Sequence, residues 1–259
     1  MAHDPVHQLQ MTLRRGGQLL RRRGVLAGVD DARQHLEGEA RDRFFAAGER
    51  QVAKLAREIE QQTGATLEGR RALDYGCGVG RLALPLAGRC EFVYGLDVAP
   101  PMLEAAERNA ALMEIENVQW LASEHLAELA GSYDLVLSVL VFQHIPSREG
   151  EQIFSTLVQG LRPGGVGAIH VTLRPGFNPL SLRSWALPNA YLMMNSYSLN
   201  RLGRLLAEAD VSEWQVKWHT SITPEAPRTA GEENGNGTRE NGAGERRPYP
   251  SGTIVFRKN

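Results

Sequence analysis

Leu73-Asp74-Tyr75-Gly76-Cys77-Gly78-Val79-Gly80-Arg81 is the stretch on which the fold turns. Arg71 to Tyr75 predicts a short buried strand. Three glycines at every second position follow it, and Leu82-Ala83-Leu84-Pro85-Leu86-Ala87 predicts the first turns of a helix. A strand that bends sharply into a helix presents bare backbone N–H groups and the positive end of the helix dipole. Glycine suits such a bend because a Cβ would block a ligand or force strained φ/ψ angles.

The next strand, Glu91 to Asp97, ends in an acid. In a βαβ unit the end of the second strand lies beside the glycine loop, roughly 20 residues downstream. A carboxylate there can accept hydrogen bonds from both hydroxyls of a ribose. The competing role for Asp97 is to cap the helix that starts near Pro100. The order of glycine loop, helix, strand and acid favours the ribose.

Leu73 to Arg81 with Asp97 resembles motif I and its acidic follow-on in the class I S-adenosylmethionine-dependent methyltransferase family, in its type 11/25-like domain. Three later stretches resemble the same family in the right order: Tyr133 to Ser138 as the fourth strand, Phe142-Gln143-His144-Ile145-Pro146 just after it, and Leu161-Arg162-Pro163-Gly164-Gly165 as the turn into the fifth. The resemblance covers roughly Arg70 to Leu173. It implies an α/β, Rossmann-like seven-stranded sheet, mostly parallel with an antiparallel last strand, plus N-terminal helices.

The resemblance also implies a cofactor, S-adenosyl-L-methionine, and a set of residues around it. Gly76, Cys77, Gly78 and Gly80 would give the close backbone approach. Asp74 would reach the amino group of the methionine part or orient the loop, and Asp97 would hold the ribose. Val98, Met102 and Val139 would line the cofactor. Many family members carry an acid where this chain has Ser123, bonding the adenine amino group. Here Ser123 could accept one hydrogen bond, or Glu124 could substitute through a shift of one residue. His144 borders the methyl donor, where it could orient or deprotonate an acceptor; equally, it could only hold the turn before Pro146.

Composition sets the outer limits. The 259 residues are 42% hydrophobic and 23% charged, with a net charge of −1. Such a chain has no general attraction to nucleic acid or to a membrane surface. No apolar run approaches the roughly 20 residues of a membrane helix, and the N-terminus lacks an apolar h-region. The cysteines, Cys77 and Cys90, read as reduced, which predicts a cytoplasmic protein. No pattern of zinc ligands is present, so no metal is expected.

Taken in order, residues 1–30 form a basic arm with Arg14-Arg15 and Arg21-Arg22-Arg23. It reads as a solvated, partly disordered arm, an anion-binding arm or a transit peptide. Residues 31–68 predict one or two helices, with Phe44, Phe45, Val52, Leu55, Ala56 and Ile59 as a buried stripe. By the resemblance Phe44, Phe45 and Gly48 could line the site; simple packing on the sheet is the other reading. The methyltransferase domain is expected over 69–259. Within it, 174–197 reads as a lid-like insert, and 223–250, rich in Gly, Asn, Glu, Arg and Pro, reads as a disordered loop.

Methyl transfer to an O or N nucleophile is the leading reading, with a small-molecule acceptor favoured over a protein. A non-catalytic S-adenosylmethionine-binding module is one alternative. An NAD(P)-dependent oxidoreductase is another, disfavoured because the loop is G-x-G-x-G rather than G-x-G-x-x-G. No Asn-Pro-Pro-Tyr motif follows the fourth strand and no RNA-binding module is visible.

Overall fold

The computed structural model describes residues 37–174, 195–219 and 250–259. The expected arm at 1–30 therefore lies outside the described residues. So do the expected insert, apart from its ends at 174 and 195–197, and the expected loop, apart from Pro250.

The first described element is one helix, α1 (Gly38–Thr63). Its sequence is polar on average, and no side chain caps its N-terminus. It is held instead by one stripe: Phe45, Gly48, Val52, Leu55 and Ile59 are buried. Each large apolar member removed from water contributes roughly 1.5–3 kcal/mol. Gly64, in the left-handed region at φ 68, ends the helix and donates its N–H to the Glu60 carbonyl at 2.8 Å.

The elements that follow are β1 (Arg71–Tyr75), α2 (Ala83–Ala87), β2 (Phe92–Asp97), α3 (Pro100–Leu112), β3 (Val118–Ala122) and a 3-10 segment, Ser123–Leu129. Then come β4 (Tyr133–Ser138), a 3-10 turn at Phe142–His144, α4 (Ser147–Gln159) and β5 (Leu161–Arg174). The chain closes with β6 (Tyr197–Ser198), α5 (Leu199–Glu208), β7 (Glu213–His219) and β8 (Ser251–Arg257).

The sheet runs β3-β2-β1-β4-β5-β8-β7, and β6 adds a short pairing to β5. Strands β1 to β5 run parallel to one another, whereas β8 is antiparallel to both β5 and β7. The Rossmann-like architecture expected from the sequence is thus present, with the antiparallel last strand inserted between the fifth and the seventh. The central strands are buried on both faces, as parallel strands covered by helices must be. On one face α1 and α2 pack Val52, Leu55, Ile59, Leu82 and Leu86 against Ala72, Leu135, Leu137, Val166, Ala168 and Val255. On the other, Phe154, Leu157, Leu202 and Leu206 of α4 and α5 pack against Leu73, Val136, Ile169 and Phe256.

Three local features are set by packing rather than by residue type. Gly164-Gly165 does not end the fourth helix; Gly160 follows its last residue, and Gly164 (φ 73) lies inside β5 where the register with β4 shifts. Ser147 is not an N-cap but the first helical residue, and its hydroxyl donates to the Ser196 carbonyl at 3.0 Å. Leu112, at the end of α3, is 66% exposed, because only Met102, Ala105, Ala106 and Ala110 turn inward.

Candidate active site

The glycine loop leaves β1 at the carboxyl edge of the sheet, where open α/β folds place their ligands. Its first three N–H groups are not bare. Gly76 and Cys77 donate theirs to the Leu96 carbonyl, at 2.7 and 2.9 Å. Gly78 donates to Oδ2 of Asp97 at 2.9 Å. The expected helix is also short, five residues from Ala83 to Ala87. The loop is therefore a rigid wall stitched to the end of β2, rather than an anion cradle.

The first two loop glycines are needed for different reasons. Gly76 (φ 77) has no room: a Cβ there would collide with both methyl groups of Val141. Gly78 (φ 54) faces open space, with nothing within 4 Å of a Cβ. Only the second leaves open space beside the backbone. From the other side Gly48 of α1 presses on the Arg81 carbonyl so closely that a Cβ would overlap it. That contact fixes α1 over the loop. Phe45 is buried with Leu84 and Ala110, a packing role, whereas Phe44 packs against both this group and the Val79–Met102 group beside the loop.

Two carboxylates flank the loop. Asp97 is bound at both oxygens: besides Gly78, Oδ1 accepts the Ala99 N–H at 2.9 Å. Burial still pushes its carboxyl above the ordinary range, against those hydrogen bonds and one from the Val98 N–H. The Asp97 side chain thus serves the loop and the turn into α3 at once. Asp74 is buried on the α1 side of β1. Burial pushes its carboxyl up to about 7, Arg81 opposes this, Asp97 adds to it, and the Ala83 N–H bonds the carboxylate. Arg81 in turn donates to Gln51 Oε1 at 2.6 Å. The buried thiols of Cys77 and Cys90 are both free.

The wall opposite the loop comes from the chain after β4. Leu140 sits in the left-handed region at φ 63. That conformation is strained for a large side chain and concentrates at functional turns. It swings Val141 onto Gly76. Tyr197 then pins the turn, its hydroxyl lying 2.9 and 2.8 Å from the carbonyls of Phe142 and Ile145. Asn195 holds the Gln143 carbonyl through its backbone N–H at 2.9 Å and its side-chain amide at 3.2 Å.

The sequence-predicted residues divide accordingly. Asp74, Gly76, Cys77, Gly78, Gly80, Asp97 and Val98 come together at the ends of β1 and β2. Met102 is buried with Val79, Ala99 and Ala105 on the outer side of the loop. Ser123 is buried and hydrogen-bonded to the Tyr75 hydroxyl, whereas the neighbouring Glu124 side chain is only half-buried. Val139 packs half-buried against the core that α1 covers. His144 is exposed, with Nε2 3.1 Å from the Gln143 side-chain amide and its backbone N–H on the Val141 carbonyl. Val141, Leu140, Asn195 and Tyr197 escaped the sequence reading. Only the apolar run before Phe142 hinted at the first two, and nothing local marked the others.

Residues 72–165 match the family model of a methyltransferase domain. Over 92 residues the chain is 36% identical to a magnesium-protoporphyrin O-methyltransferase of Synechocystis, covering 35% of this chain and 40% of that protein. Over 109 residues it is 35% identical to a ubiquinone biosynthesis O-methyltransferase of Escherichia coli, covering 41% of this chain and 44% of that one. The matches thus span less than half the length of these relatives. A crystal structure of magnesium protoporphyrin IX methyltransferase from Synechocystis with bound SAH superposes with a TM-score of 0.61 at 19% identity, over 93% of this chain and 99% of that one. The N-methyltransferase NodS from Bradyrhizobium japonicum, in complex with S-adenosylhomocysteine, gives 0.54 at 16% identity, over 93% and 97%. Sequence match and fold agree as far as they reach: residues 72–165 resemble a methyltransferase domain, and the fold is that of methyltransferases crystallised with S-adenosylhomocysteine.

Proposed function

We propose that the chain transfers the methyl group of S-adenosylmethionine to an oxygen or nitrogen nucleophile of a small molecule. The observation that carries this reading is the pairing of a loop open only at Gly78 with two buried carboxylates, Asp74 and Asp97. That site suits a cation. The loop N–H groups of Gly76, Cys77 and Gly78 are already used, which disfavours the pyrophosphate of a dinucleotide and so the oxidoreductase alternative.

Bound there, S-adenosylmethionine would supply an electrophilic methyl group on a sulfonium sulfur. Asp97 keeps lone pairs for the ribose hydroxyls while its N–H partners fix its direction. Asp74 would face the ammonium or the sulfonium field, which would hold it ionised. Gly78 lets the ligand approach the backbone, and Met102 and Val98 offer apolar surface beside it. Tyr75 takes up the Ser123 hydroxyl, so the adenine contact falls more naturally to Glu124. Val139 and the strained Leu140–Val141 turn would exclude water from the transfer. His144, exposed beside Gln143, would orient an incoming acceptor.

O-methylation of a small molecule has additional support from the two curated relatives, both named as O-methyltransferases. Two free, buried cysteines fit a reducing, cytoplasmic setting. Among the described residues no helix is long and apolar enough to cross a membrane. The test is calorimetry with S-adenosylmethionine and S-adenosylhomocysteine, followed by a methyl-transfer assay on a panel of phenols and amines. Binding with turnover supports the reading. Binding without turnover on any acceptor leaves the non-catalytic module, and absence of binding rejects both.

A further inference from the structure

Residues 195–198 form a strap against the turn that follows β4, and the strap has a fixed base. Tyr197 and Ser198 pair with Leu173 and Arg174 of β5, and α5 begins at the next residue. From that base three residues in a row reach the turn. Asn195 gives the Gln143 carbonyl two hydrogen bonds, one from its backbone N–H at 2.9 Å and one from its side-chain amide at 3.2 Å. The Ser196 carbonyl accepts the Ser147 hydroxyl at 3.0 Å. The Tyr197 hydroxyl lies 2.9 and 2.8 Å from the carbonyls of Phe142 and Ile145.

The turn needs holding. Leu140 is left-handed at φ 63, a conformation that persists only where the surroundings over-determine it. Val141 packs on Gly76 of the glycine loop on one side, and the strap grips the turn on the other. Within residues 142–145 these bonds all go to carbonyls, so they fix the backbone from which the side chains project. The Gln143 side chain is half-buried and His144 is exposed, with the Gln143 amide nitrogen 3.1 Å from His144 Nε2.

The two gripping side chains differ. Tyr197 is fully buried, its ring packs edge-on against Phe142 at 5.7 Å, and a Cβ on Gly150 of α4 would overlap it. Truncating Tyr197 therefore disturbs the core as well as the turn. Asn195 is only half-buried, and its amide is spent on the Gln143 carbonyl.

We infer that Asn195 is a positioning residue for the methyl acceptor: by holding the Gln143 carbonyl it sets the Gln143 and His144 side chains on the wall opposite the glycine loop, where that pair receives the acceptor's hydroxyl or amine. An amide beside an imidazole offers both hydrogen-bond donors and acceptors, which matches an O–H or N–H group. The inference rests on the methyl-transfer reading for what the acceptor is, and not for how the pair is held.

Asn195→Ala and Asn195→Asp test it. The first removes the side-chain donor and keeps the backbone one, and the second sets a carboxylate against the Gln143 carbonyl. With the fastest acceptor of the phenol and amine panel, kcat/KM for the acceptor is expected to fall about fivefold in Asn195→Ala, the size of one neutral hydrogen bond, and further in Asn195→Asp. KM for S-adenosylmethionine and affinity for S-adenosylhomocysteine are expected to stay at the wild-type values, a split that a general loss of structure would not produce. In NMR spectra of protein labelled in its histidine rings, the His144 signal, assigned with His144→Gln, is expected to shift in both variants. The inference is overturned if both variants keep the wild-type kcat/KM for the acceptor, if KM for S-adenosylmethionine rises by the same factor, or if the His144 signal does not move. A wild-type protein that turns over no member of the panel counts against methyl transfer instead. The His144 signal then decides the positioning: a shift supports it, and an unmoved signal overturns it.

Discussion

Two ends of one sheet face carry buried polar groups, and they are handled in opposite ways. At the β1–β2 end the two carboxylates are tied to the backbone: Asp97 to Gly78 and Ala99, and Asp74 to Ala83. At the β5–β8 end Glu58, His170 and Thr172 are left with open valences. The first arrangement is rigid before any ligand arrives, so binding there needs little reorganisation. Among the described residues, the second keeps three buried polar atoms without a partner from the protein.

The largest expected effect separates the glycines of the fixed end. Gly78→Val should abolish binding of S-adenosylhomocysteine by calorimetry, while the fold loses only the roughly 1–2 kcal/mol of a left-handed non-glycine residue. Gly76→Ala should do the reverse in kind. Its Cβ meets Val141, so chemical denaturation should report a loss of roughly 2–5 kcal/mol from overpacking and strain together. Equal stability losses in the two would erase the distinction drawn between them.

Next in size is Asp97→Ala. Loss of the ribose acceptor should weaken the cofactor about 30- to 100-fold, equivalent to roughly 2–3 kcal/mol for hydrogen bonds to a charged group. Because Gly78 and Ala99 lose their partner as well, the melting temperature should also fall by several degrees. A variant with unchanged affinity removes Asp97 from the site.

The two ends should also answer pH with opposite signs. The Asp74 carboxyl titrates higher in the folded chain than in the unfolded one, at about 7 against 3.8. The unfolded chain therefore releases that proton first, and stability drops as pH rises from about 4 to 7. The His170 ring titrates lower when folded, at about 4 against 6.5. There the unfolded chain takes up the proton first, and stability drops as pH falls from about 6.5 to 4. Urea titrations across pH 4 to 8 should show Asp74→Asn flattening the alkaline side and His170→Leu the acid side, each by roughly 2–4 kcal/mol. If both variants moved the same limb, the two environments would not differ as described. Smallest is Tyr197→Phe, which should cost about 1–2 kcal/mol for the lost hydroxyl and lower kcat without altering affinity for S-adenosylhomocysteine. An unchanged kcat would make the Phe142–Ile145 turn independent of that pin.

Residues 71 to 99 were readable because the loop, the strand ends and the acid are close in sequence and each has a local reason. Glycine at a positive φ, an apolar run for a buried strand, and an acid after it are patterns of a few residues. The same stretch misled on one point. The backbone N–H groups expected to be bare are taken by Leu96 and Asp97, which no local pattern announces.

The order of strands, glycines and acids in the chain determined the α/β class, the course of the sheet and the seat beside Gly78 and Asp97, because parallel βαβ connection leaves few ways to fold such a pattern. Only the tertiary structure decided that Val141 closes on Gly76, that Gly48 clamps α1 over the loop, and that the rings of His170 and His219 stand 5.8 Å apart. The members of these pairs are separated by as many as 65 positions, and residues so far apart are joined by sheet order and helix packing, which no short sequence pattern records.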